Sequence, residues 1–307
     1  MTLPVYILLL NYRGADDTLA CLDSLKLLDY PNYRIVVVDN DSPDNSVDRL
    51  KSRLASQPGS FRLIEAPRNG GFSYGNNLGI QAVLAEVGDR AHGYIWLLNN
   101  DTTVEPDSLS ALVEEARRTG GVAGSLMLYP DGSYQQAGTR FNLWTGRTRG
   151  YPEQGVKDGM PVETLTGASM LIPFQAFRAA GLLDERFFLY FEDGEASFRF
   201  AQHGFRLTLS TKSIVYHKEG ATTGKKSRLT QYYFHRNRLR LLFQRANALQ
   251  KLTIALYTAF RLLRSVVKSG FSNKAERRVS TRIEVMALYD FWKGIHGPCP
   301  HNLDNLQ

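Results

Sequence analysis

Four times near its start the chain repeats one pattern: a short apolar run, a polar side chain at its end, then text of helical period. The runs cover residues 5–10, 34–39, 61–66 and 94–99. The first leads through Asp16, a plausible N-cap, into a helix ending near Leu27. The third passes a glycine-rich turn into helical text over 76–87, and the fourth leads to a helix starting near Asp107. Strand–helix alternation of this kind predicts an α/β fold with a mainly parallel sheet and helices on both faces. Right-handed crossovers then bring the loops after successive strands to one edge, where such sheets bind ligands.

The pattern weakens over 132–163, rich in Gly, Thr, Arg and Tyr, and hairpins or a loop over the site are expected there. Strand and helix signals return at 164–173, 174–180 and 205–209, the last leading to Val215-Tyr216-His217. From Ser227 onward Leu252, Leu256, Ala259, Leu263 and Val266 recur at helical spacing, with Arg261, Arg264 and Lys268 between them. Charge divides the chain as well: residues 218–307 carry 17 Lys/Arg and 5 Asp/Glu, against 20 and 25 before them. The expected organisation is a domain over 1–220, with a nucleotide-binding half (1–101) and an acceptor and catalytic half (102–220), followed by a basic helical region over 221–307.

At 307 residues and 43% hydrophobic, the chain is long and apolar enough to bury a core, which excludes disorder and a disulfide-stapled mini-protein. Cys21 and Cys299 lie at opposite ends with neither metal-ligand nor disulfide spacing, so a reducing, cytoplasmic setting is expected. The six apolar residues at 5–10 lack the basic flank and length of a secretory signal. The best apolar stretch of the tail, 252–260, is closed by Lys251 and Arg261, too short for a bilayer span.

Five clusters can carry chemistry. Asp39 closes an apolar strand and precedes Asn40-Asp41-Ser42. At the sheet edge its carboxylate can read a ribose or base donor, while the same residues also suit an Asx-turn and a helix cap. Arg68-Asn69-Gly70-Gly71 opens a strand-to-helix turn where backbone can approach a phosphate, without matching the dinucleotide or P-loop fingerprints. Asn99-Asn100-Asp101 ends a buried strand, and Asp101 offers hard oxygen to Mg²⁺ or Mn²⁺ if other ligands and a substrate diphosphate complete the shell. Glu192-Asp193-Gly194-Glu195 follows five bulky residues, a costly place for carboxylates unless they face a cleft, and suited to a general base or to a helix start. His217 closes the apolar Ile214-Val215-Tyr216.

Together these motifs resemble the inverting family 2 glycosyltransferases of the GT-A fold, especially the bacterial rhamnosyltransferase branch. The resemblance spans residues 4–242 and is carried, in order, by Leu10-Asn11-Tyr12, Val38-Asp39-Asn40-Asp41-Ser42, Asn69 to Asn77, Leu98-Asn99-Asn100-Asp101, Thr166-Gly167-Ala168-Ser169, Phe188 to Asp193, Val215-Tyr216-His217 and Arg236-Asn237. It implies a Rossmann-like GT-A sheet and transfer of a hexose, L-rhamnose first among candidates, in polysaccharide or cell-envelope biosynthesis. The donor would be a nucleotide-diphosphate sugar (dTDP-rhamnose or a UDP-sugar), and the acceptor a saccharide or lipid-linked saccharide.

By the same resemblance Asn11, Tyr12, Asp39, Arg68 and Asn69 hold the nucleoside, with Asp39 facing the pyrimidine. Asn99, Asn100 and Asp101 correspond to the D-x-D-type motif, Asp101 and His217 bind the metal, and Gly167 and Ala168 lie beneath the donor sugar. Asp193, beside Glu192, is the catalytic base. Arg236 and Asn237 either contact a diphosphate or lie on a helix surface. The sequence departs from the family pattern where Asn99 and Asn100 replace carboxylates and where Glu195 replaces an aspartate. The basic tail fits peripheral attachment to anionic lipid at the inner face of the cell membrane.

Three other readings compete. A nucleotidyltransferase would also use an α/β sheet and a metal, but needs a triphosphate-gripping loop that the N-terminus lacks. A non-catalytic nucleic-acid-binding protein would use the stripe of Arg236, Arg238, Arg240 and Arg245, yet no recognised module accompanies it and no nucleic acid is expected. A degenerate sugar-binding homologue would explain the two asparagines but not the retained Asp101, Asp193 and His217.

Overall fold

The structure is a computed structural model that describes residues 2–218, 227–270 and 275–306. Its strands are β1 (Val5–Asn11), β2 (Tyr33–Asp39), β3 (Arg62–Glu65), β4 (Tyr94–Asn99), β5 (Thr102–Val104), β6 (Val122–Leu128), β7 (Tyr134–Gln136), β8 (Thr139–Asn142), β9 (Arg147–Gly150), β10 (Ser169–Pro173) and β11 (Leu207–His217). Its helices are α1 (Ala15–Leu25), α2 (Ser46–Ser56), α3 (Gly71–Val87), α4 (Ser108–Thr119), α5 (Phe174–Ala180), α6 (Glu192–Gln202), α7 (Arg228–Arg245), α8 (Ala248–Gly270) and α9 (Ala275–Trp292).

The main sheet runs β3-β2-β1-β4-β10-β6-β11-β5, with β7 on β6, while β8 and β9 form a separate hairpin. Because strand side chains alternate between faces, β1 divides its apolar residues between two cores. Ile7 and Leu9 join Cys21, Leu22, Leu50 and Leu112 under α1, α2 and α4. Tyr6 and Leu8 join Ile80, Val83, Phe174 and Phe200 under α3, α5 and α6. Covering the sheet on both sides makes its central strands continuous apolar runs. Their first polar residues, Asn11, Asp39 and Asn99, therefore fall together where the strands emerge. Asn11 pairs with Asp39, and Leu10 with Asn99, in the parallel register.

The parallel order holds for β3-β2-β1-β4 and again for β6 with β11, but β10 is antiparallel to both its neighbours. A chain of buried hydroxyls helps to fix that insertion. Trp96 Nε1–H donates to Ser169 Oγ (2.9 Å), Ser169 lies 2.6 Å from Ser125, and Ser125 lies 2.7 Å from Ser213, linking β4, β10, β6 and β11. Each of these groups is costly to bury alone and satisfied only in this strand order.

Local boundaries differ from the sequence reading in a few places. Helix α1 starts after Gly14 rather than at Asp16, whose carboxylate pairs with Arg49 instead of capping. The two strand signals at 205–209 and 215–217 are one strand, β11, with a register shift between Ser210 and Ile214. The unpatterned stretch contains β7 and the β8–β9 hairpin. In the tail, Ser227 caps α7 by accepting from Thr230 N–H (3.0 Å). Among the described residues no helix is long and apolar enough to cross a membrane.

The basic stripe of α7 is not on the surface. Arg236, Arg238 and Arg240 are all buried. Arg240 donates to the carbonyls of Arg186 (2.6 Å) and Ile295 (2.7 Å). Burial, with Arg261 nearby, pulls the Arg238 pKa down to about 10. The guanidiniums of Arg236 and Arg240 fasten loops inside the protein.

Candidate active site

The ends of β1 and β2 are organised around Asp39. Its carboxylate accepts from Asn11 Nδ2 (2.6 Å), Ser42 N–H (2.9 Å) and Ser42 Oγ–H (2.8 Å), so the side chain is buried and closes an Asx-turn. Asn11 Oδ1 takes the Thr18 hydroxyl at 2.8 Å. Asn100 Nδ2 reaches the same hydroxyl at 2.9 Å and the Gly14 carbonyl at 3.3 Å. Asn11, Asp39 and Asn100 thus bind one another's elements together. Tyr12 is half-buried at the edge beside them.

The glycine turn lies next to this group. Asn40 Nδ2 donates to Asn69 Oδ1 (3.0 Å), which also accepts from Gly71 N–H (3.0 Å). Gly71 adopts φ +87°, and a Cβ there would stand 2.1 Å from the Phe188 carbonyl oxygen, so only glycine fits. That carbonyl accepts from Phe72 N–H at 2.8 Å, which ties the turn to the segment before α6. Arg68 is exposed, its guanidinium 4.6 Å from the Tyr74 ring centroid.

Asp101 and His217 meet where β4 and β11 end. His217 Nε2 lies 3.2 Å from Asp101 Oδ1 and 3.3 Å from Asn99 Nδ2. Gln135 on β7 sets the ring: its Nε2–H donates to the His217 carbonyl (3.2 Å), turning Oε1 to Nδ1 at 2.9 Å. With Gln135 Oε1 accepting, Nδ1 is the donor, and Nε2 is the ring atom turned to Asp101, where it can offer a lone pair to a cation held between them. No third His, Cys, Asp or Glu completes such a group among the described residues. The pair fits Mg²⁺ or Mn²⁺ only as a partial shell, the rest coming from water and substrate phosphate oxygens.

Asp193 stands at the start of α6, half-buried, with both oxygens engaged. Oδ2 accepts from Gly167 N–H (2.9 Å) and Oδ1 from its neighbour Gly194 N–H (2.7 Å). Loss of water around the carboxyl raises its pKa above the ordinary aspartate value, against the pull of those two N–H groups. Glu192 is buried, and its Oε2 has no partner among the described residues. Burial first, and then the Asp193 charge, raise its pKa well above the usual glutamate range. Glu195 is the salt-bridge partner of Arg199 (2.9 Å), which also donates to the Leu182 carbonyl (2.6 Å).

Two consecutive residues before Glu192, Tyr190 and Phe191, hold positive φ (68° and 73°), a backbone state that non-glycine residues enter only when their surroundings impose it. Asn237 supplies part of that constraint, donating to the carbonyls of Leu189 (2.8 Å) and Tyr190 (3.2 Å). Arg236 donates to the Gly297 carbonyl (2.6 Å) and to Tyr232 Oη (3.2 Å). Both side chains are fully buried and bonded within the protein, which corrects the expectation that they lie on a helix surface.

The backbone of Gly167 and Ala168 joins the two halves of the site. Gly167 N–H holds Asp193, while the Ala168 carbonyl accepts from Asn99 N–H at 3.0 Å. Asn99 in turn meets His217 beside Asp101. Sequence reasoning missed Gln135, which lies in an unpatterned segment with no local signal of its contact to β11. A cleft of about 640 Å³ lined by Tyr6, Tyr33, Arg34, Phe61 and Glu86 lies at the opposite, entry end of the strands.

Residues 6–181 match the family model of Glycosyl transferase family 2, and residues 94–286 that of Glycosyl transferase family group 2. The O-antigen biosynthesis protein RfbC of Myxococcus xanthus is 27% identical over 212 residues, 63% of this chain and 15% of that protein. The N-acetylglucosaminyl-diphospho-decaprenol L-rhamnosyltransferase of Mycobacterium tuberculosis is 26% identical over 228 residues, 66% of this chain and 72% of its own length. Among solved structures, S. aureus TarS (residues 1–349) in complex with UDP-GlcNAc aligns with TM-score 0.59 and 16% identity, over 99% of this chain and 84% of that one. The mannosyltransferase PcManGT from Pyrobaculum calidifontis, in complex with GDP-Man and Mn²⁺, aligns with TM-score 0.59 and 13% identity over 94% and 86%. At these identities the structural likeness carries the fold, which is GT-A. With a family model covering more than half of its residues and that fold beneath it, the chain belongs to glycosyl transferase family 2 and is a glycosyltransferase.

Proposed function

We propose that the protein is a metal-dependent, inverting glycosyltransferase that moves L-rhamnose from dTDP-rhamnose to a lipid-linked saccharide at the inner face of the cell membrane. The observation that carries this reading is the line of contacts from Asp193 through Gly167 and Ala168 to Asn99, His217 and Asp101. Asp193 lies on one side of that backbone strip and the Asp101–His217 pair on the other, which supports reading them as the base and the cation ligands of an in-line displacement. Rhamnose and the lipid-linked acceptor are suggested by the Mycobacterium relative's name.

In this reading residues 1–101 form the nucleotide-binding half and residues 102–220 the acceptor half. Asn11, Tyr12, Asp39, Arg68 and Asn69 shape the nucleoside pocket, with buried Asp39 acting by holding the Ser42 turn. The Gly167–Ala168 backbone supports the sugar. Asp193, assisted by neighbouring Glu192, takes the proton from the acceptor hydroxyl as that oxygen bonds to the anomeric carbon from the face opposite the diphosphate. The anomeric carbon–oxygen bond breaks, its electron pair leaves on the nucleoside diphosphate, and the configuration inverts. Asp101 and His217 would hold Mg²⁺ or Mn²⁺, which supplies charge neutralisation at the leaving diphosphate.

The test is transfer of labelled rhamnose from dTDP-rhamnose to an N-acetylglucosaminyl-diphospho-lipid, with the anomeric configuration of the product read by NMR. An inverted linkage with release of dTDP is expected. A product of retained configuration, or pyrophosphate release from a nucleoside triphosphate and a sugar phosphate, would overturn the reading.

A further inference from the structure

Helix α8 carries a face that nothing in the described protein covers. Leu249, Leu252, Leu256, Phe260, Leu263, Val266 and Val267 are 45–63% exposed. At 100° per residue they fall within an arc of about 120°, opposite the side on which Ile254 is buried against Leu242 and Leu288. A contiguous apolar stripe of this length marks an interaction surface.

The chemistry beside the stripe selects the occupant. The helix contains Lys251, Arg261, Arg264 and Lys268 and no Asp or Glu. Arg261, Arg264 and Lys268 line one flank of a cleft of about 380 Å³, with Tyr257 and with Arg147 from the start of β9. Arg147 is held there by its Nε–H donating to Tyr257 Oη (2.6 Å). The cleft has no carboxylate in its lining, so it is built for anions. A second copy of the chain would set like charge against like charge, whereas an anionic lipid surface complements both the stripe and the cations.

We propose that α8 lies in the plane of an anionic membrane surface, its apolar stripe among the acyl chains and the Arg147–Arg261–Arg264–Lys268 cleft on lipid phosphates. The same docking orients the site. The β8–β9 turn, with exposed Trp144, is seated on α7 and α8 at Gly146, where a Cβ would stand 3.1 Å from Leu242 and 3.3 Å from Ile254. Phe141 of β8 lies against Gly194, next to Asp193. The hairpin therefore spans from α8 to the residue beside Asp193, and, resting on the lipid-linked acceptor proposed above, it marks the side from which that acceptor arrives. Docking of α8 on the membrane does not depend on the identity of the donor.

The test is flotation of the full chain with phosphatidylcholine vesicles, with and without phosphatidylglycerol. Wild type is expected to float with the anionic vesicles and to be released as salt rises. The combined substitution Leu256→Glu, Phe260→Glu and Leu263→Glu, at surface positions that leave the fold intact by circular dichroism, is expected to lower binding at least about tenfold. Arg261→Gln with Arg264→Gln and Lys268→Gln is expected to remove the preference for anionic lipid. Flotation of the apolar variant equal to wild type would overturn the proposal. So would a wild type that fails to float but forms a dimer which that variant dissociates. Loss of nucleotide-sugar binding in wild type with flotation intact would count against the donor site alone.

Discussion

The Gly167 N–H donates to Asp193 Oδ2 at 2.9 Å, so the proposed base is held by the backbone of a buried strand entry rather than by another side chain. A backbone donor cannot rotate away, and the next residue's carbonyl is engaged by Asn99. The proposed base and the proposed cation ligands are therefore tied to one backbone strip.

Asp193→Asn keeps the size of the side chain and removes its basicity. Transfer should fall by about 10²- to 10⁴-fold, the usual contribution of a general base, while stabilisation by the donor is retained. Parallel turnover and thermal-shift measurements check both halves. Wild-type turnover would remove Asp193 from the mechanism.

The raised pKa of Asp193 carries a sign. Only the ionised form accepts a proton, so kcat/KM should rise with pH, and its acid limb should lie above the ordinary aspartate value of about 3.9. A pH–rate profile reads this directly.

Glu192 has a linked effect on stability. Because its pKa is raised well above the glutamate value in the folded state, the native protein binds the proton more tightly than the unfolded chain. Its contribution is fully present below the unfolded pKa and is lost as pH rises through the folded one. Glu192→Gln, neutral at every pH, should therefore melt above wild type at neutral and alkaline pH, with the gap closing towards pH 4. Melting curves across that range test it.

Gln135 holds the His217 ring with Nδ1 as donor and Nε2 towards Asp101. Replacing it with Leu should weaken Mn²⁺-dependent donor binding by about 10- to 100-fold, as removal of a ligand's orienting partner does elsewhere. Calorimetric titration at several Mn²⁺ concentrations distinguishes this from a general loss of affinity.

Asn237 is buried and holds two carbonyls of the strained turn before α6. Asn237→Ala leaves those carbonyls unpaired and should cost about 1–3 kcal/mol in urea unfolding. Because the turn positions Glu192 and Asp193, transfer should fall by more than the stability change alone produces.

The sequence made the sheet edge legible because its signal is local: a buried strand must be apolar until it emerges, so Asn11, Asp39 and Asn99 announce themselves. The direction of β10 is decided by which neighbours its Ser169 hydroxyl meets, a tertiary fact with no local trace. Arg236, Arg238 and Arg240 read as a charged surface because arginine is mostly exposed, yet all three are buried, and the planar heads of Arg236 and Arg240 satisfy loop carbonyls that would otherwise be buried without donors. The pairing of Asp101 with His217 was suggested by resemblance alone, since 116 residues separate them in the chain. Gln135 was invisible for the same reason, its contact being to a strand far away in sequence.

The most direct measurement is a thermal-shift screen of dTDP-, UDP- and GDP-sugars with and without Mn²⁺, on wild type and Asp101→Ala, because a ligand that binds only the native state raises its apparent stability. The predicted result is stabilisation by one nucleotide-sugar class, dTDP-rhamnose foremost, that requires Mn²⁺ and disappears in Asp101→Ala. No stabilisation by any nucleotide sugar in the presence of Mn²⁺, or the same shift in Asp101→Ala as in wild type, would contradict the site as described.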